Sequence, residues 1–206
     1  MKATGVVHLG NFKILTVIRE NLAIVIFTLL FALGVLFGVL LFADNKMINE
    51  AESILSIFND IRKNFAFSKA FFTIYIFEFT FLFAIFLFGT SLLGMAFIPF
   101  IIFVRGAFSG LLLCGLYSSL GLTGITLNLL TLLPSTIINV LSQVSGAGCG
   151  LNLSYSLSKM MLSGGNLHSG INIKLVLKKF GLLVLIITVG TLFEVFCLFA
   201  FKKFFV

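Results

Sequence analysis

The chain has 206 residues, 60% of them hydrophobic and 10% charged, with a mean hydropathy of +1.20, whereas soluble domains run at about 45–50% apolar and about 25% charged. A water-soluble fold with this composition would expose apolar patches well beyond the roughly few hundred Å² a soluble monomer tolerates, so the soluble enzyme classes are excluded and a single membrane-embedded domain, residues 1–206, is expected. The net charge of +7 is scattered between apolar runs rather than gathered with aromatics into a patch, which argues against nucleic acid and for lysines facing the headgroups of a lipid bilayer.

The first uncharged run covers residues 21–43 and on a helix would reach about 34 Å, enough for a hydrocarbon core of about 30 Å. A cleavable signal peptide needs a shorter apolar region and a small-residue cleavage site. Leu41-Phe42-Ala43-Asp44 offers none, so an uncleaved first span is expected. Residues 44–69 then put Ile48, Ala51, Leu55, Phe58, Ile61 and Phe65 on one helical stripe and Glu50, Glu52, Asp60 and Arg62 elsewhere. This is the pattern of an external amphipathic helix on the membrane surface, or of a connector packed on the span ends.

From Ala70 to Ser158 the only charges are Glu78 and Arg105, so several crossings must fit there. Gly89, Gly94 and Pro99 predict a tight connection between a Phe-rich second span, about 71–94, and a third, about 97–120, ended by Gly121 and Gly124. Segment 122–133 is too short to cross and reads as a re-entrant or interfacial half-helix, with Pro134 at the first turn of a fourth span, about 135–158. After the basic stretch Lys159 to Lys179 comes the last span, about 180–201, closed by Lys202 and Lys203. The expected fold is an all-α polytopic transmembrane bundle of about five spans, with Pro99 and Pro134 as helix breaks. Five crossings with the N-terminus inside put seven basic residues (Lys2, Lys13, Arg19, Lys159, Lys174, Lys178 and Lys179) on the inner side against six outside. Six crossings would break the positive-inside rule.

Glu78, Arg105 and Glu194 sit within apolar runs, where each would cost a few kcal/mol unpaired against lipid, so all three are expected to face protein or water. A glutamate bridge to Arg105 that fixes helix order is the structural use, and a proton or ion pathway or a partner contact is the functional one. Gly34 with Gly38, and Gly106 with Gly110, match the small-xxx-small pattern of closely packed membrane helices. Packing within the chain is their expected use, and a seam between two copies in a homo-oligomer is the alternative. The run Ser145-Gly146-Ala147-Gly148-Cys149-Gly150 lacks the Gly-Lys-Ser ending of a phosphate loop, and Leu151 stands where a dinucleotide fingerprint needs glycine. Cys114, Cys149 and Cys197 lie in apolar runs, and His8 and His168 have no second ligand at metal spacing. No catalytic residue, cofactor or metal is expected.

The order of features resembles the stage II sporulation protein M family. The residues behind this are Gly34 and Gly38, the segment Glu50 to Lys69, Gly94 followed by Pro99, Phe103-Val-Arg-Gly106-Ala-Phe-Ser-Gly110, Leu133-Pro134, and Gly190-Thr-Leu-Phe-Glu194. The chain departs in one respect: Cys197 and Leu198 occupy the place of a proline that often follows the last-span glutamate. The resemblance implies a multi-pass protein of the cytoplasmic membrane in endospore-forming bacteria, at the septal or engulfing mother-cell membrane when the forespore is engulfed. It also implies partnership with stage II sporulation proteins D and P, peptidoglycan-degrading proteins held at the septum. The family gives Arg105, Gly106, Pro134 and Glu194 no established catalytic role. Two readings follow: a non-enzymatic scaffold recruiting wall hydrolases, with Glu50, Glu52, Asp60 and Arg62 as candidate contacts, or a permease or channel with a midplane polar site, favoured by the broken segments around Pro134 and Gly146 but needing more convergent polar groups than Glu78, Arg105, Glu194, Asn128, Asn139 and Gln143 supply. An intramembrane enzyme would need a paired nucleophile and base that the sequence does not offer.

Overall fold

The computed structural model describes residues 22–43, 67–163 and 173–205. Its elements are α1 (Leu22–Ala43), α2 (Phe67–Gly89), α3 (Gly94–Leu120), α4 (Leu122–Leu127), a π-helical segment (Asn128–Leu132), α5 (Leu133–Ser163) and α6 (Ile173–Phe205). Apolar runs are forced into helices here because a bilayer leaves backbone N–H and C=O groups no partner but one another. Four helices, α1, α2, α3 and α6, are long and apolar enough to cross a membrane. Their outward residues, such as Leu40, Leu185 and Phe196, are exposed as lipid-facing side chains should be. The expected all-α polytopic bundle is therefore observed. α2 starts at Phe67, about one turn earlier than the sequence suggests, and the rest of the amphipathic segment, with Glu50, Glu52, Asp60 and Arg62, lies outside the described residues.

α5 has length enough to cross, 31 residues, but is more polar than the other long helices. Burial explains how it can still stand in the bundle. Ser135, Asn139, Ser142, Gln143 and Ser154 are all buried against neighbouring helices, while Ile137 and Leu141 point outward. Polar groups at a spacing of about four residues share one helix face, and here that face is turned to protein.

Pro99 does not break a helix, contrary to expectation, and Pro134 stands in the first turn of α5, as expected, but with no break before it. Pro99 lies inside α3, which begins at Gly94. Pro134 lies inside a helical run that is continuous from Leu122 to Ser163, so segment 122–133 is joined to α5 rather than set apart as a half-helix. A proline ring clashes with the carbonyl of residue i−4. For Pro134 that residue is Leu130, in the π-helical segment, where the wider i→i+5 turns relax the clash. Gly121 does end α3: its φ of 59° is in the region that favours glycine, and its N–H donates to the Tyr117 carbonyl at 2.8 Å.

The glycine pairs fix the relative direction of the helices. A Cβ on Gly34 would strike the Phe103 carbonyl, one on Gly38 the Ala107 carbonyl, one on Gly106 the Phe31 carbonyl and one on Gly110 the Val35 carbonyl. α1 and α3 thus run parallel with backbones in direct contact, and both small-xxx-small motifs are used against each other within the chain. Gly89 likewise meets Gly150, its added Cβ falling 2.8 Å from the Gly150 Cα, while Gly146 faces Leu82 and Gln143 bonds Glu78, so α2 and α5 also run parallel. Phe27, Leu82, Ile85, Ile98, Ile102, Val144, Ala147, Phe180, Leu183 and Ile187 fill the core between them. At that end of the bundle Ser154 Oγ donates to the Ser91 carbonyl at 2.8 Å and ties α5 to the α2–α3 turn.

Candidate functional site

The intramembrane charges gather in one polar layer. Arg105 on α3 donates from Nη2 to Glu78 Oε1 on α2 at 2.5 Å, and both side chains are almost fully buried. Its Nη1 donates to Ser109 Oγ at 2.7 Å, one turn along the same helix. The guanidinium also lies 5.4 Å from the Phe77 ring centroid and 5.6 Å from that of Phe81, so two aromatic faces take up its remaining surface. From α5, Gln143 Nε2 donates to Glu78 Oε2 at 2.8 Å. Both carboxylate oxygens of Glu78 are therefore bonded, and three helices are locked at one level. A charge-assisted pair sharing its lone pairs in this way is the arrangement that makes a buried ion pair tolerable.

Glu194 on α6 does not join that pair. Its Oε2 lies 2.9 Å from Ser135 Oγ on α5, and the same Oγ lies 2.9 Å from the Leu132 carbonyl oxygen at the end of the π-helical segment. Asn139, between Ser135 and Gln143 on the α5 face, is fully buried against Gly190 of α6, and neither atom of its amide has a hydrogen-bond partner among the described residues. Gln143 Oε1 and Arg105 Nε are likewise buried without partners among the described residues. The layer thus consists of an ion pair with both carboxylate oxygens bonded at one side, a carboxyl–hydroxyl contact at the other and an unpartnered amide between them.

The sequence singled out Glu78, Arg105 and Glu194, and the structure brings the first two together as a bridge that fixes helix order. Ser135 and Ser109 were missed, and Asn139 and Gln143 were given too little weight. The spacing of Ser135, Asn139 and Gln143 by four residues each was the available signal, since it places all three on one face of a helix. Cys149 is half-buried and Cys197 buried; His8 and His168 lie outside the described residues.

Helices of this length and hydropathy, with their charges turned inward, define a multi-pass membrane protein. The chain belongs to the stage II sporulation protein M family, whose model matches residues 27–197. No curated protein and no solved structure matches it. Family membership makes it a sporulation-related membrane protein.

Proposed function

We propose that the protein is a non-enzymatic membrane scaffold that recruits or localises peptidoglycan-degrading partners, stage II sporulation proteins D and P or similar wall hydrolases, at the septum during forespore engulfment. The observation that carries this reading is the use to which the interior charge is put. Glu78 and Arg105 are bonded to one another and to Gln143 and Ser109, so the strongest polar groups of the spans hold helices in order. Recognition then falls to surfaces outside the lipid, with Glu50, Glu52, Asp60 and Arg62 as the candidate contacts, because a polar helix face can meet a partner while its apolar stripe stays in the interface.

In this reading the protein crosses the cytoplasmic membrane five times with its N-terminus inside. Two features support that orientation. Helix pairing alternates along the chain, α1 parallel to α3 and α2 parallel to α5, and exposed Lys159, Lys174, Lys178 and Lys179 sit near the end of the bundle that holds the α2–α3 turn, as the positive-inside rule asks of the cytoplasmic side. A second reading, a permease or channel, is favoured by the unpartnered Asn139 amide about two turns after a π-helical segment, since irregular helices in membranes often line polar sites.

In vivo crosslinking followed by affinity purification from sporulating cells separates the two. Co-purification of wall hydrolases supports the scaffold. Substrate-dependent flux in proteoliposomes, with no hydrolase recovered from cells, supports the permease.

A further inference from the structure

Ser135 Oγ stands between two oxygens, the Leu132 carbonyl and Glu194 Oε2, each at 2.9 Å. A hydroxyl has one proton to donate, and a carbonyl oxygen can only accept. If Ser135 donates to Leu132, its contact with Glu194 becomes a hydrogen bond only when the carboxyl carries a proton and donates it to Ser135 Oγ. An ionised carboxylate would leave one of the two contacts as acceptor against acceptor.

The surroundings agree with the neutral form. Ser135 is 0% exposed and Glu194 6%. Arg105, the cation of this layer, already donates to Glu78 and Ser109. Glu78 and Arg105 therefore cancel, and an ionised Glu194 would leave a net negative charge inside the bundle, which an apolar interior strongly disfavours.

We propose that Glu194 and Ser135 form a buried proton-binding site, in which the proton held by Glu194 joins α6 to the π-helical segment through Ser135. The charged and titratable groups around Glu194 are Glu78 on α2, Arg105 on α3 and Cys197 on α6 itself. α5 contributes the neutral Ser135 and, one turn further on, the neutral Asn139 against Gly190. When the proton leaves, the carboxylate becomes an acceptor and draws the Ser135 hydroxyl hydrogen to itself. The Leu132 carbonyl then loses its side-chain donor, which loosens the turn where π geometry gives way to α. Binding and release of a proton at Glu194 are in this way linked to the shape of the helix entering α5, a place where π segments commonly serve function. Nothing in this depends on the scaffold reading.

Infrared difference spectroscopy on the full-length protein in lipid nanodiscs tests it directly, by following the C=O stretch of a protonated carboxyl as the pH is raised. One protonated carboxyl is expected at neutral pH, and it should be absent from Glu194→Gln. Stability gives a second readout. The unfolded chain releases this proton at neutral pH while the bundle keeps it, so the unfolded state binds fewer protons and stability falls as pH rises, by up to about tenfold in the folding equilibrium constant per pH unit. Glu194→Gln, whose amide can donate to Ser135 Oγ, should lose that dependence. Absence of a protonated carboxyl in the wild type at neutral pH, or its persistence in Glu194→Gln, overturns the proposal. Should Glu194→Gln not fold, Ser135→Ala decides: removing the acceptor must shift the band, and an unshifted band overturns the proposal equally.

Discussion

Alanine at position 106 is the sharpest probe of the α1–α3 seam. Its Cβ would be driven into the Phe31 carbonyl oxygen and would lie 3.1 Å from the Gly34 Cα. Both obstacles are backbone, so no side chain can swing away. A carbon normally stands about 3.3–3.6 Å from a carbonyl oxygen even in the close contacts of packed helices, so the two helices must separate by roughly 1 Å and lose contact along the whole seam. Overpacking costs about 1–3 kcal/mol, and a backbone obstacle argues for the upper end. Exchanging glycine for alanine within a helix returns about 1 kcal/mol. The net loss for Gly106→Ala is therefore about 2 kcal/mol, or roughly 30-fold in the folding equilibrium constant. Gly148→Ala is the matched control, because a Cβ there meets nothing within 4 Å and only the helix-propensity gain remains. Both variants can be compared by titrating the full-length protein from mild detergent into dodecyl sulfate and following unfolding. If the two agree within about 0.5 kcal/mol, the ordinary range for substitutions away from critical contacts, the seam does not hold the bundle as described.

The ion pair makes a different demand. Glu78→Gln leaves the Arg105 charge buried without a counter-ion and should cost about 3–5 kcal/mol in the same titration, whereas Glu78→Gln combined with Arg105→Met should recover most of it; a double variant as unstable as the single one speaks against the pairing. Glu194→Gln should be milder than Glu194→Leu, because the amide can still bond Ser135 and leucine cannot, a difference of about 1–3 kcal/mol, and equal losses would show that Ser135 is not its partner. Single cysteines at Asn59 and Ser169, with Cys114, Cys149 and Cys197 replaced, should react with an impermeant reagent from opposite sides of the membrane. Labelling of both from outside would favour six crossings over five.

The bundle was legible in the sequence wherever composition alone decides. Long apolar runs must be helices in a bilayer, and α1, α2, α3 and α6 are long and apolar enough to cross one. The glycine motifs were legible as motifs, but which helix each would meet was not, because pairing is settled by the whole set of contacts rather than by spacing. Pro134 misled for a physical reason: proline is a helix breaker in α geometry, and whether π turns will accommodate it depends on the packing of the segment before it. At the candidate site the charged residues announced themselves through the cost of burying them. The neutral partners did not, since serine, asparagine and glutamine at helix positions carry no comparable penalty, and only their four-residue recurrence on α5 marked a face turned inward.

The scaffold role is tested most directly by the position of a wall hydrolase in sporulating cells. A fluorescent fusion to such a partner, imaged at the septum with and without this protein, should disperse on deletion. It should disperse equally when Glu50, Glu52, Asp60 and Arg62 are reversed in charge and the variant protein is still recovered in the membrane fraction. A partner that stays at the septum in the deletion strain contradicts the scaffold role.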